Sequence, residues 1–130
     1  MSKTRITTSG APAALGPYSQ AIDTGGLVFC AGQVGLDPAT GAMVEGGIEA
    51  QTERALTNLG SVLEAAGLGY GDVVKTLCFL TDMADFQAFN AVYARYFPEP
   101  YPARSTVAVK GMAGQFVVEI EAIAVRPSAG

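Results

Sequence analysis

The sequence predicts an α+β fold in which two helices cover one face of a largely antiparallel sheet. Short apolar runs with the composition of β-strands occupy the first and last thirds of the chain. Between them, two longer segments repeat their apolar residues with the period of an α-helix. Strands grouped in this way, with glycine-containing turns between neighbours, are typical of sheets that carry their helices on one side.

The size and composition predict one globular domain over residues 1–130. Hydrophobic residues make up 49% of the chain and charged residues 15%, which is the composition of a protein with a core. A chain of this length buries roughly 70% of its unfolded surface when it folds. No apolar run is long enough for a signal peptide or a membrane span, so we expect a soluble, cytoplasmic protein that does not bind membranes.

Three strands are predicted in the first third of the chain. Thr4–Thr7 has the composition of an edge strand, and Ser19–Asp23 and Leu27–Val34 flank a short turn. That turn, Thr24–Gly26, contains the glycines whose positive φ angles a tight hairpin requires. The composition of Asp37–Gly41 predicts a further turn.

The clearest predicted element is a helix over Ile48–Ala66. One of its faces carries apolar residues at helical spacing, and Gly67 directly after it is a natural C-terminal stop. The next apolar run, Val73–Leu80, is rich enough in β-formers to predict a central strand.

A second helix is predicted from about Met83 to Phe97. Thr81 or Asp82 is the expected N-cap, and Pro98 ends the helix because it cannot continue the hydrogen-bond ladder. The apolar stripe of this helix is aromatic and consists of Phe86, Phe89, Tyr93 and Phe97. We expect this stripe to face the core.

Two strands, Arg104–Lys110 and Gln115–Val125, close the chain around the linker Gly111–Gly114. In a hairpin centred on that linker, Arg104 would lie directly opposite Glu119. Such a pair has two interpretations. It is either a structural ion pair, or an anion site in which the arginine holds a substrate carboxylate while the glutamate handles a proton or a water.

The last strand carries two carboxylates on an otherwise apolar face. Its even-numbered positions from Phe116 to Ala124 are apolar and predict the core face, whereas the odd-numbered positions from Val117 to Val125 read Val, Glu, Glu, Ile, Val. Apolar residues around Glu119 and Glu121 indicate a covered face, and we expect another subunit to cover it. The alternative is that the carboxylates reach solvent at a sheet edge or pair with surface bases.

The composition excludes several kinds of chemistry and of partner. The chain has no histidine, which excludes Ser-His-Asp and Cys-His nucleophiles, HExxH zinc sites and histidine-pair ribonuclease chemistry. No metal-ligand spacing or cofactor motif is present, and Cys30 and Cys78 are expected to be buried, reduced thiols. The net charge of −4 and the scattered basic residues disfavour nucleic-acid binding.

Three further positions are candidates for a site. Tyr18 follows a Gly-Pro pair and could aim its phenol into a pocket, although such tyrosines are more often interface or core anchors. Asn90 is a poor helix former and either satisfies a loop backbone or lines a site. Gly32 lies inside a predicted strand, where it either admits a ligand or marks a bulge.

Several motifs resemble the signature of the Rid family, whose members are also called YjgF or endoribonuclease L-PSP proteins. The matching segments are Pro102–Val107, Val118–Val125, Gly16–Ala21, Ala31–Gln33, Glu64–Gly67 and Asp85–Tyr93. The resemblance implies a chorismate-mutase-like α+β fold with a six-stranded sheet, assembled as a homotrimer with sites between subunits. It also implies an enzyme that detoxifies reactive metabolites by hydrolysing 2-imino acids and their enamine tautomers, such as 2-iminobutanoate and 2-iminopropanoate, to 2-oxo acids and ammonia.

The resemblance further implies the residues of the site. The catalytic set is Arg104, Glu119 and Tyr18, and the substrate-binding set is Gly32, Asn90 and Thr106. In the family pattern the arginine binds the substrate carboxylate, the glutamate positions the attacking water and the tyrosine closes over the ligand. No cofactor and no metal are implied.

Two positions depart from the best-studied deaminases, which usually have Cys where this chain has Thr106 and Ser where it has Ala31. These departures leave a Rid relative that acts on a different imine or enamine as an alternative. A non-catalytic trimer that binds a metabolite is a second alternative. The ribonuclease activity that one family name suggests is the least supported, given the negative charge and the absence of histidine.

Overall fold

The computed structural model describes residues 2–128, and these residues form a six-stranded sheet with two helices on one face. The strands of this sheet are β1 (Thr4–Ile6), β2 (Ala21–Asp23), β3 (Leu27–Val34), β6 (Val73–Leu80), β7 (Ala103–Ala108) and β8 (Val118–Val125). The helices are α1 (Gly47–Ala65) and α2 (Phe86–Tyr93), and the strands β4 (Leu36–Asp37) and β5 (Ala42–Met43) form a separate small hairpin.

The sheet order is β1-β2-β3-β8-β6-β7, and every neighbouring pair is antiparallel except β6 and β7. The predicted α+β class is therefore confirmed, with slightly shorter strands than expected at several ends. The predicted tight turn between β2 and β3 is present, with Gly25 at a φ of 100°. The turn over Asp37–Gly41 is also present and joins β4 to β5.

The core lies between the helices and the face of the sheet that β8 presents through its even-numbered residues. Val118, Ile120 and Ala124 are fully buried there, against Leu56 and Leu59 of α1. This confirms the alternation predicted for the last strand, except that Phe116 precedes the strand and is only half-buried. The odd-numbered residues consequently face the opposite side of the sheet, which no helix of the described residues covers.

The position of α1 on the sheet is fixed by a buried amide. The Asn58 side chain is fully buried, and its Nδ2 donates to the backbone carbonyls of Val34 at 3.1 Å and Leu36 at 2.8 Å. Its Oδ1 accepts a hydrogen bond from Nε of Arg54 at 3.0 Å. The two bonds to carbonyls tie the helix to the point where β3 ends and the small hairpin begins, and the third, within α1, satisfies the remaining amide oxygen.

The second helix is shorter than predicted. A 3₁₀ turn over Met83–Asp85 precedes α2, and Asp82, rather than Thr81, caps that turn by accepting from the Ala84 N–H at 2.9 Å. The α-helix ends at Tyr93, and turns continue to Tyr96. The predicted aromatic stripe nevertheless faces the core, with Phe89, Tyr93 and Phe97 buried.

The predicted hairpin between the last two strands is wrong, and with it the pairing of Arg104 with Glu119. β7 runs parallel to β6 at the edge of the sheet, where Arg104 pairs with Thr76, whereas Glu119 pairs with Val34 and Phe79. The physical reason is the α2 crossover, because a strand that returns through a helix is placed parallel to its predecessor. β8 then enters between β3 and β6, so the glycine linker spans β6 and is not a tight turn.

We predict that Asn58→Ala lowers the free energy of unfolding by about 2–4 kcal/mol, because it leaves buried carbonyls unpaired and opens a small cavity. Urea denaturation at a fixed protein concentration measures this loss. The matched control is Thr57→Ala, one position earlier on the exposed side of α1, which should stay within about 0.5 kcal/mol of the wild type. Equal effects of the two substitutions would contradict the anchoring role of Asn58.

Candidate functional site

Arg104 lies on the helix side of the edge strand β7 and packs against aromatic rings of α2. Its guanidinium carbon is 4.7 Å from the ring centroid of Tyr93, 5.6 Å from that of Phe86 and 5.8 Å from that of Phe89. Such distances are those of cation–π contacts, which favour a guanidinium over a neutral group. The side chain is thereby held in a defined position against the second helix.

The polar contact of Arg104 is an amide and not a carboxylate. Its Nη1 donates to Oδ1 of Asn90 at 2.7 Å. Within residues 2–128, the ion pairs are Arg95 with Glu53 and Arg126 with Asp23, so Arg104 has no acidic partner there. A half-buried arginine that retains free N–H groups and lacks a counter-charge is suited to bind an anion, and above all a planar carboxylate.

A cavity of about 470 Å³ lies beside this arginine. Its lining consists of Asn90, Tyr93, Ala94, Tyr101, Pro102 and Arg104. The charged and amide groups therefore lie at the wall of a mostly aromatic and aliphatic recess, which is the usual character of a small-molecule site. The sequence singled out Arg104 and Asn90 but assigned Tyr93 only to the core stripe.

Thr106 lies two residues further along β7, on the same face of the strand as Arg104. Its Oγ1 is buried and has no hydrogen-bond partner among the described residues. Its register partner on β6 is Cys78, whose burial raises the pKa of the thiol to about 11, so this cysteine is a neutral core residue and not a nucleophile. Both cysteines are free and buried, as the sequence predicted.

Gly32 and Glu119 meet on the opposite, uncovered face of the sheet. Cys30 pairs with Ala122 and Gln33 with Ile120, so two residues of β3 oppose one residue of β8 and form a bulge at this point. A β-carbon on Gly32 would overlap the Glu119 carboxylate. Glycine is therefore the residue that lets this carboxylate lie directly against the backbone of β3.

The environment of Glu119 disfavours its charge. Burial in the sheet raises the pKa of this carboxyl above its ordinary value, and the neighbouring Glu121 raises it further. No arginine or lysine forms an ion pair with Glu119 in the described part of the chain. The result is a carboxyl on which a proton is held more readily than on a solvent-exposed glutamate.

Tyr18 lies in neither group. It is 57% exposed, in the loop that precedes β2, and it lines a separate surface recess of about 350 Å³. The loop itself is anchored by buried Gln20, which accepts from the Thr8 N–H at 2.7 Å and donates to the Pro12 carbonyl at 2.8 Å. An exposed phenol on an anchored loop is available to a neighbouring molecule.

The six predicted site residues thus fall into three places in one chain. Arg104, Asn90 and Thr106 lie between β7 and α2, whereas Gly32 and Glu119 lie on the other face of the sheet. Tyr18 is on the N-terminal loop. One copy of the chain does not bring the arginine and the glutamate together.

The described residues contain neither a cluster of metal-binding side chains nor a membrane-spanning helix. Among residues 2–128 there is no group of histidine, cysteine or acidic side chains that could hold a metal ion. In the same range no helix has the length and hydropathy needed to cross a membrane.

Comparison with known proteins gives a consistent result across most of the chain. The model of the family described as Endoribonuclease L-PSP matches residues 8–126. The chain is 51% identical over 119 residues to Reactive Intermediate Deaminase A, chloroplastic, of Arabidopsis thaliana. The matched region covers 92% of this chain and 64% of that longer protein. It is 47% identical over 121 residues to the 2-iminobutanoate/2-iminopropanoate deaminase of Mus musculus, covering 93% and 90% of the two chains.

The fold has close matches among solved structures. The crystal structure of E. coli TdcF with bound serine superimposes with a TM-score of 0.90 at 41% identity, covering 95% of this chain and 99% of that one.

We predict that Glu119→Gln stabilises the fold near pH 7. Because the folded chain raises the pKa of Glu119, folding favours the protonated carboxyl. The contribution of this carboxyl to the free energy of unfolding is fully present below the ordinary pKa of glutamate and is lost as the pH rises through the folded-state pKa. The amide of the variant is never ionised, so its contribution is not lost. The variant should therefore unfold at higher urea concentration than the wild type near pH 7, with an advantage that disappears near pH 4.

The control for this prediction is Glu64→Gln, which removes one negative charge from an exposed position of α1. It should not show the same pH-dependent gain. An equal gain in both variants would assign the effect to net charge and not to the environment of Glu119.

Proposed function

Because this chain belongs to the Rid family of endoribonuclease L-PSP proteins, we propose that it hydrolyses 2-imino acids to 2-oxo acids and ammonia. The names of the relatives from Arabidopsis and mouse support an enzyme that acts on reactive intermediates of this class. Small substrates such as 2-iminobutanoate and 2-iminopropanoate are the proposed ligands. Their enamine tautomers would enter the same site.

The observation that carries the proposal is the state of Arg104. Aromatic faces and the Asn90 amide hold the guanidinium without neutralising it, and free N–H groups remain. A 2-imino acid supplies the missing negative charge through its carboxylate, and a bidentate contact would fix the adjacent imine carbon. The serine bound to TdcF likewise carries a carboxylate next to a carbon bonded to nitrogen, which supports a ligand of this kind.

We propose that the complete site forms between subunits of a homotrimer. Arg104 and Glu119 occupy opposite faces of the sheet, so a ligand can contact both only if a second copy supplies one of them. The uncovered sheet face has the character of such an interface, because it exposes Phe29, Val107 and Val125 around its carboxylates. Tyr18 on its anchored loop is the residue that would close over the ligand from one side.

The proposed reaction needs no cofactor and no strong nucleophile. A protonated imine carbon is electrophilic, and water held by Glu119 adds to it while the carboxylate of Glu119 takes one proton from the water. That proton then passes to the substrate nitrogen. As the C–N bond breaks, the hydroxyl of the intermediate gives its proton to the Glu119 carboxylate and the C=O bond of the 2-oxo acid forms. Glu119 passes this second proton to the departing ammonia, which leaves as ammonium. One water is consumed for each ammonia released, and Glu119 returns to its starting charge.

The remaining proposed contacts orient the ligand. Asn90 holds Arg104 and borders the recess, and Gly32 gives the Glu119 carboxylate room against β3. Thr106 contributes the strand backbone beside Arg104, so threonine in place of cysteine is compatible with this role.

We predict that Arg104→Ala lowers kcat/KM for imine hydrolysis by roughly 10² to 10³-fold, because it removes the charge-assisted contact to the carboxylate. The assay follows ammonia release from 2-imino acids generated in situ by an amino-acid oxidase. Arg95→Ala is the matched control, since Arg95 is exposed near the end of α2 and forms only a surface ion pair at 3.8 Å.

The outcomes separate the alternatives. Full activity in Arg104→Ala would overturn the proposed role of this residue. Binding of 2-oxo acids by the wild type without turnover would favour a metabolite-binding protein. Turnover confined to imines made from other amino acids would favour a relative with a different substrate.

A second prediction tests the shared site. Arg104→Ala and Glu119→Gln should each lose most of the activity when alone, yet co-assembled subunits should regain activity because some interfaces receive an intact Arg104 and an intact Glu119. Random assembly of equal amounts gives about a quarter of the wild-type activity in a closed cyclic oligomer. The control mixes Arg104→Ala with the double variant, which cannot rebuild a site, and no recovery in the first mixture would contradict a site between subunits.

A further inference from the structure

We propose that Tyr93 is a positioning residue that sets the orientation of Arg104 for carboxylate binding. The inference rests on the proposed function, because it concerns the arginine that binds the substrate carboxylate in that proposal. It assigns to Tyr93 a role beyond the core packing that its place in the aromatic stripe predicts.

The first argument is the distance between the ring and the cation. The Tyr93 centroid is 4.7 Å from the Arg104 guanidinium carbon, nearer than the rings of Phe86 and Phe89 at 5.6 and 5.8 Å. Cation–π attraction weakens with distance, so Tyr93 supplies the strongest of the three contacts. Asn90 supplies the hydrogen bond at one end of the guanidinium, and the Tyr93 ring supplies its support.

The second argument is how the ring itself is held. Its Oη forms a hydrogen bond of 2.7 Å with Oγ1 of Thr76, and both side chains are buried. Thr76 is the residue of β6 that pairs in register with Arg104 of β7. The Tyr93 phenol is therefore bonded to the residue that lies beside Arg104 in the sheet, while the Tyr93 ring contacts Arg104 itself. Side chains from α2, β6 and β7 meet at this point.

The third argument is that the ring has little room to move. Phe97 packs on Tyr93 with a centroid distance of 4.5 Å, and Phe89 packs on it at 5.6 Å. Burial raises the pKa of the Tyr93 phenol, so the group stays uncharged and does not neutralise Arg104. A rigid, neutral ring holds the arginine while leaving its charge for the ligand.

The test compares Tyr93→Leu with Phe97→Leu. Both remove a buried aromatic ring from the same cluster, but Phe97 is not among the aromatic rings that contact the Arg104 guanidinium. Tyr93→Leu should raise KM for 2-iminobutanoate, and Kd for the product 2-oxobutanoate, by roughly 5- to 30-fold with kcat changed little. Phe97→Leu should reduce thermal stability to a similar extent while leaving KM and Kd near their wild-type values.

The conservative variant Tyr93→Phe keeps the ring and loses the bond to Thr76. The KM of this variant should stay within about threefold of the wild-type value, because the cation–π contact remains. If Tyr93→Leu does not fold, Tyr93→Met fills a similar volume without a ring, and the same rise in KM and Kd is expected of it.

A double-mutant cycle separates failure of this inference from failure of the proposed function. In an Arg104→Ala background, Tyr93→Leu should cost no further affinity for 2-oxobutanoate, because its effect acts through the arginine. If Arg104→Ala weakens binding but Tyr93→Leu behaves like Phe97→Leu, Tyr93 is only a core residue and the inference is overturned. If the wild type neither hydrolyses the imine nor binds the 2-oxo acid, the proposed function is overturned and this inference with it.

Discussion

The central position of β8 determines where every charged group of the candidate site can lie. The strand pairs with β3 on one side and β6 on the other, so its alternation is fixed from both directions. Val118 and Ile120 must face the helices because the core is there, and Glu119 between them must face away. The α2 crossover places Arg104 on the helix face of β7. One chain therefore presents two parts of the candidate site, one around Arg104 and one around Glu119, on opposite faces of its own sheet.

Each of these groups keeps a charged side chain without its usual partner. Arg104 gains roughly 0.5–2 kcal/mol from an aromatic face, a contact that leaves its positive charge unneutralised. Among residues 2–128 no lysine or arginine forms an ion pair with Glu119, and the desolvation of its carboxyl disfavours ionisation. Pairing Arg104 internally would neutralise the anion site before a substrate arrived. The missing partners are thus consistent with a site completed by a ligand and a second subunit.

Much of this arrangement could be predicted from local patterns in the sequence, and the part that could not depends on strand order. The alternation in β8, the extent of α1 and the aromatic stripe of α2 each follow from periodicity within one segment. The neighbours of Arg104 do not, because a glycine linker fits a hairpin as well as a longer passage over β6. The helix predicted between the strands β6 and β7 is the feature of the sequence that indicates their parallel pairing. Tyr93 was missed because a buried aromatic residue at helical spacing fits the core without any further role.

The absence of histidine gives the environment of Glu119 its importance. A general base works best when its pKa lies near the working pH, and an exposed glutamate is several pH units too acidic for that. Burial and the repulsion from Glu121 both move the pKa of Glu119 in the useful direction. A subunit that covered this sheet face would exclude more water and move it further the same way. The bulge at Gly32 permits that arrangement, since any larger side chain there would displace the carboxylate from the backbone on which it lies. Assembly would therefore both complete the site and adjust the carboxyl that the proposed reaction uses.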